Sequence, residues 1–164
     1  MRLSVLDTTL LSNFAHVGRP DLLRTALGET AATMATVLAE LRRGETAGLV
    51  PHVDWAWLQQ VTLSTTEKNL AAGYREIIDM GEAECLAVAK MRNGRLLSDD
   101  FAARRLSQAE GVSVSGTIGV LLLLVEQNVL TRPEADALLS LMRQAGYRSP
   151  VSSLAEVKQS TKNI

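Results

Sequence analysis

Five carboxylates sit where they could act together: Asp7, Glu40, Glu82 and the adjacent pair Asp99-Asp100. Asp7 closes the apolar run RLSVL, and Asp99-Asp100 close the run RLLS. Two acids side by side repel each other, so solvent, a helix N-terminus or a metal ion must offset the pair. Only one of them can hold the N-cap of the helix that follows, which leaves the second in need of another partner. Hard oxygen donors with no accompanying His or Cys cluster suit Mg²⁺ or Mn²⁺ far better than zinc. Each acid also has a purely structural use. Asp7 can cap the helix after it. Asp79 and Glu82, three apart in DMGE, have the spacing of a capping box. Glu40 can pair with Arg42 or Arg43 on a surface. Glu84 stands about 200° round a helix from Glu82, which keeps the two from serving one site.

The remaining reactive residue types offer less. His16 and His52 are isolated and fit neither a triad nor a zinc spacing. Cys85, the single cysteine, lies in ECLAVA without basic neighbours and reads as an inert packed thiol. It can form no intramolecular disulfide, in keeping with a reducing cytoplasm. GTIG lacks the Gly-Lys-Ser/Thr of a phosphate-binding P-loop. Seventeen basic against eighteen acidic residues exclude a uniformly basic nucleic-acid surface, though not a local patch. Arg42, Arg43, Arg104 and Arg105 flank Glu40 and Asp100, either as a phosphate-positioning rim or as solvated helix faces. Trp55 and Trp57 alternate as on one strand face, for core or dimer packing or for base stacking. Ser115-Gly116-Thr117 either meets a phosphate through backbone amides or simply makes a turn and cap.

Positioning these acids requires alternating strands and helices. At 164 residues, 46% of them hydrophobic, the chain can bury one substantial core, and residues 1–150 read as a single domain. Strands are predicted at 2–6, weakly at 30–33, at 57–63, 95–98 and 112–114. Helices are predicted at 8–17, 21–26, 35–43 (stopped by Gly44), 65–79, 82–92, 101–110 and 118–128. A last helix opens at Arg132-Pro133 and runs to about Ala145. The polar tail 151–164 is expected to fray. MRLSVLDTTLL does not read as a leader, and GVLLLLV at 119–125 is too short to cross a bilayer. A cytoplasmic protein without a membrane partner is therefore expected. The alternation predicts an α/β domain with a mostly parallel sheet, whose ligands sit beyond the carboxyl ends of the strands where strand order reverses. Were RLSVL and RLLS neighbours there, Asp7 and the Asp pair would face one crevice.

In this order the residues resemble the PIN domain family of metal-dependent nucleases. The likeness runs over about residues 2–150, through LDTTLLSNFAHVGRPDLL, GEAECLAVAK, DDFAARRLSQAEGVSVSGTIGVLLLLVEQNVL and LMRQAGYRSP. It is closest to a bacterial and archaeal branch carrying a GEAE…DD…AR…SGTxGxLL series. The resemblance implies a three-layer α/β/α fold with the first strand beside RLLS. It implies that Asp7, Glu40 (in VLAE), Glu82 and Asp100 are catalytic, with Asp7, Glu82, Asp99 and Asp100 on Mg²⁺ or Mn²⁺. Thr8 or Thr9 supplies a hydroxyl beside Asp7, and with Arg104 and Arg105 would contact substrate. The implied reaction is metal-assisted hydrolysis of RNA phosphodiesters, one or two ions activating water and stabilising the leaving oxygen. A toxin of a toxin–antitoxin pair, with an antitoxin partner and a homodimeric state, fits the same likeness. One departure is that TAATM stands where the branch has an apolar strand and a proline before the Val-x-x-Glu helix. That favours an alternative, a degraded PIN-like scaffold that binds RNA or a protein without cutting. A third reading, phosphotransfer on an aspartate, lacks the second Asp of DxD after LDTTL.

Overall fold

The computed structural model describes residues 1–157. Five parallel strands form one sheet: β1 (Ser4–Leu6), β2 (Ala31–Met34), β3 (Gln59–Val61), β4 (Arg95–Leu97) and β5 (Ser113–Ser115). Their order is β3-β2-β1-β4-β5, so the chain reverses direction across the sheet between β1 and β4. Val5 pairs with Leu96 and Leu6 with Leu97, which sets the two acid-bearing strand ends side by side. Eight helices cover the sheet: α1 (Thr8–His16), α2 (Asp21–Leu27), α3 (Ala35–Thr46), α4 (Thr65–Tyr74), α5 (Met80–Met91), α6 (Phe101–Ala109), α7 (Thr117–Glu126) and α8 (Arg132–Gln144). Helix α5 packs on β1, β2 and β4 with α3, α4 and α6 beside it, while α2, α7 and α8 pack together as a second group. The result is the three-layer α/β/α arrangement expected.

Burial on both faces explains why the strands read as short apolar runs rather than alternating ones. Val5 and Leu6 of β1 and Leu96 and Leu97 of β4 have no solvent exposure. Helix α5 is nearly as buried: Ala83 and Cys85–Ala89 are all enclosed, and their small side chains let it lie close on the sheet.

Strand β2 is real despite its weak signal. All four residues of AATM are buried, and the Thr33 hydroxyl donates to the Leu6 carbonyl at 2.7 Å. Alanine and threonine carry little hydrophobicity, but helices α2, α3 and α5 pack on this strand, and small side chains suit that close packing. The departure at TAATM thus leaves the sheet intact and still delivers α3, with Glu40, to its carboxyl edge.

Four expectations are corrected. Helix α3 runs through Gly44 to Thr46, because Gly44 is small for a different reason. A side-chain Cβ there would stand 3.0 Å from Val50 Cγ2, and the Gly44 carbonyl accepts from the Leu49 and Val50 amides. Trp55 and Trp57 lie in the loop before β3 rather than on it, their rings tilted 49° with centroids 6.5 Å apart. The helix predicted to 79 ends at Tyr74, and a turn separates it from α5. Residues 151–157, predicted to fray, are tied down: Leu154 is buried and its amide donates to Asp136 Oδ1 at 2.8 Å. The rest of the predicted tail, 158–164, lies outside the described residues. No helix among the described residues is long and apolar enough to cross a membrane.

Candidate active site

Asp7 leaves the end of β1 with no solvent exposure, held by three donors. The Leu10 amide donates to Oδ1 at 3.1 Å, which makes Asp7 the N-cap of α1. The Thr9 hydroxyl donates to the same oxygen at 2.7 Å, and the Ser98 hydroxyl donates to Oδ2. The cap and the site acid are therefore the same residue. Thr8, beside it, donates its hydroxyl to Glu40 on α3. Glu40 in turn lies against the first turn of α5: a Cβ on Gly81 would sit 3.4 and 3.5 Å from its two oxygens. Glu40 thus points to the strand ends rather than to Arg42 or Arg43.

Glu82 is the next residue on α5. Its carboxylate accepts from the Asp79 amide at 3.3 Å while Asp79 accepts from the Glu82 amide at 3.1 Å, completing the capping box that the spacing allows. That box does not remove it from the site. Burial, with Asp79, Asp100 and Asp7 nearby, pushes the Glu82 carboxyl up to about 8. Burial likewise pushes Asp7 up to about 7, against its three donors, with Asp99 adding to the rise. The buried Cys85 thiol is pushed well up by burial and by Asp7, Glu84, Glu40 and Glu82, an environment that keeps it protonated and unreactive. Its S–H points at the Leu6 carbonyl.

The paired aspartates divide their work. Asp100 takes the N-cap of α6, accepting from the Ala103 amide at 2.9 Å. Asp99 is the surplus acid, and its carboxylate is filled by protein donors. The Thr117 amide and the Tyr147 hydroxyl donate to Oδ1, and Asn13 Nδ2 and the Thr117 hydroxyl donate to Oδ2. Four donors saturate a carboxylate. Through these donors Asp99 bolts α1, α7 and the segment after α8 to the end of β4. Gly116 belongs to the same joint, since a Cβ there would collide with Asp99 Oδ1 and crowd the Ser98 carbonyl.

Ser98 was not singled out from the sequence, yet it links the two principal acids. Its hydroxyl donates to Asp7 Oδ2 and accepts from the Asp100 amide at 3.1 Å. The signal available was a hydroxyl closing the RLLS strand immediately before two acids. Thr9 acts similarly, donating to Asp7 and accepting from the Asp99 amide at 2.9 Å. Arg104 Nη1 donates to the Ser98 carbonyl at 3.0 Å, which holds the guanidinium at this edge. Arg105 is exposed instead, its guanidinium 5.7 Å from the centroid of the Phe101 ring.

Among the described residues, no three His, Cys, Asp or Glu side chains are already close enough to hold a metal ion. The donor chemistry nevertheless fits one. None of Asp7, Glu40, Glu82 and Asp100 takes part in the described ion pairs, which join Arg19 to Asp21, His52 to Glu45, Lys90 to Glu110 and Arg92 to Glu67. Glu82, raised by burial with Asp79, Asp100 and Asp7 nearby and without a cation, sits in the kind of setting a hard divalent ion stabilises.

A parallel α/β/α fold with acids at its strand-order reversal defines the class, and comparison supplies the family. A family model described as a PIN domain matches residues 3–163. The chain belongs to the PIN domain family, whose fold is that of nucleases. No curated protein and no solved structure matches it.

Proposed function

We propose that this chain is a Mg²⁺- or Mn²⁺-dependent endoribonuclease. The observation that carries the reading is Asp7: a carboxylate without solvent exposure, raised by burial to about 7, facing other unpaired acids at the strand-order reversal. Asp7, Glu82 and Asp100 would hold the ion, which when bound supplies positive charge at the phosphate and a more acidic water. Ser98 and Thr9 fix the Asp7 oxygens, so little reorganisation is left for the moment of reaction. Glu40, oriented by the Thr8 hydroxyl, would accept a proton from the attacking water. Arg104 offers its remaining N–H groups to a phosphate oxygen.

Residues 1–150 are read as the nuclease domain. A cytoplasmic location, a homodimer and pairing with an antitoxin as a toxin–antitoxin toxin belong to the same proposal and rest on the family likeness. A second reading, a PIN scaffold that binds RNA or a partner without cutting, is favoured by one observation: no three acids are preset for a metal among the described residues. Labelled single-stranded RNA separates them. Cleavage that needs Mg²⁺ or Mn²⁺ and falls at least about 100-fold in Asp7→Asn selects the nuclease. Chelator-insensitive binding without cleavage selects the scaffold.

A further inference from the structure

A groove of about 710 Å³ runs between α6, α7 and the segment after α8, within the size range of small-ligand sites. Asp99 forms part of its wall, one residue from Asp100, so groove and carboxylate site meet at the end of β4. Two arginines line it. Arg104 is held by the Ser98 carbonyl, and Arg148 is exposed. Phe101 stands at the same edge with 73% of its surface exposed, backed by the Arg105 guanidinium. Both acids of the lining already have donors: Asp99 has its four, and Glu156 takes the Ser152 amide and hydroxyl at 3.0 and 2.8 Å. The arginines therefore keep hydrogen-bonding capacity that the acids lack.

An exposed aromatic face beside free guanidinium groups is the combination that holds unpaired nucleotides, the ring stacking a base and the arginines taking phosphates. A base-paired duplex cannot offer a free base face to Phe101. We propose that this groove seats one unpaired nucleotide of a single-stranded RNA whose neighbouring phosphate lies at the carboxylate site, with Phe101 under the base and Arg104 and Arg148 on the phosphates. The inference rests on the ribonuclease reading for its choice of RNA.

Fluorescence anisotropy of a labelled single-stranded RNA of about twelve nucleotides tests it, in an Asp7→Asn background where the probe survives. Phe101→Ala should weaken binding about tenfold, because one stacked base is lost. Arg148→Ala should weaken it about threefold and flatten its salt dependence. Arg24→Ala, an exposed arginine on α2, should leave it unchanged. No RNA binding by the parent, or parental affinity in both groove variants, overturns the groove. RNA cleavage by the Asp7 enzyme with KM unmoved in Phe101→Ala and Arg148→Ala also overturns it and leaves the nuclease standing. RNA held through Phe101 and Arg148 but never cut supports the groove and removes the nuclease.

Discussion

Ser64–Glu67 at the start of α4 and Asp79–Glu82 at the start of α5 are both complete capping boxes. In the first, Glu67 is buried, and Arg92 Nε and Nη2 donate to its two oxygens at 2.7 and 3.0 Å. The Arg92 guanidinium holds the Glu67 carboxyl below its ordinary range. In the second, the cap is itself an acid, no described cation approaches, and Asp7 and Asp100 face Glu82, which rises to about 8. The backbone device is the same and the electrostatic outcome is opposite. A capping box therefore tells nothing of function by itself. The charge left unbalanced around it does, because a fold that neutralises one buried glutamate and crowds acids round another has spent stability at the second place.

The largest consequence concerns pH. Asp7 and Glu82 bind their protons more tightly folded than unfolded, so their share of stability is full below about pH 4 and is lost as pH rises through about 7 and 8. Glu67 runs the other way, stabilising above its ordinary pKa and losing that as pH falls through its depressed value. Asp7 moves from 3.8 to about 7, three units, or at most ~4 kcal/mol. In chelator, urea unfolding of the wild type should weaken from pH 4 to pH 7. Asp7→Asn should lack most of that slope, since Asn still caps α1 and carries no charge. Identical slopes would remove the buried acid from the account.

Removing the balancing charge comes next. Arg92→Met strands Glu67 and should cost about 2 kcal/mol, less than the ~3–5 of a fully buried pair because Arg92 is 39% exposed. Asp99→Asn turns two of four donors against an amide NH₂ and should cost about 1–2 kcal/mol, while leaving the response to metal intact. A lost metal response would make Asp99 one of the ligands. At pH 4 Glu82→Gln should move metal-free stability by less than about 0.5 kcal/mol, since Glu82 holds its proton there and Gln serves the same box. A cost matching that of Arg92→Met would erase the contrast between the two helices.

The alternation of strands and helices was legible, and with it the placing of Asp7 and Asp100 at neighbouring strand ends. What escaped did so for physical reasons. Strand β2 is built of Ala and Thr because helices enclose it, and small residues carry a faint periodic signal. Trp55 and Trp57 alternate as a strand would, yet the ladder begins only at Gln59. Gly44 looked like a helix stop, whereas the constraint on it comes from Val50, a contact no local pattern contains. The surplus acid of the Asp pair was visible, but its partners Asn13, Thr117 and Tyr147 are distant in the chain. Ser98 is hidden by its ordinariness: a serine ending a strand becomes meaningful only when Asp7 is seen against it.

On the proposed function, separate segments of the chain would bring unpaired acids together for one divalent cation, and thermal unfolding with added Mn²⁺ tests that most directly. The wild type should be stabilised, by about 2.7 kcal/mol once the ion reaches a hundred times its dissociation constant. Asp7→Asn should be more stable than the wild type in chelator near neutral pH and indifferent to Mn²⁺. Equal Mn²⁺ shifts in both proteins, or none in the wild type, would contradict a cation site built on Asp7.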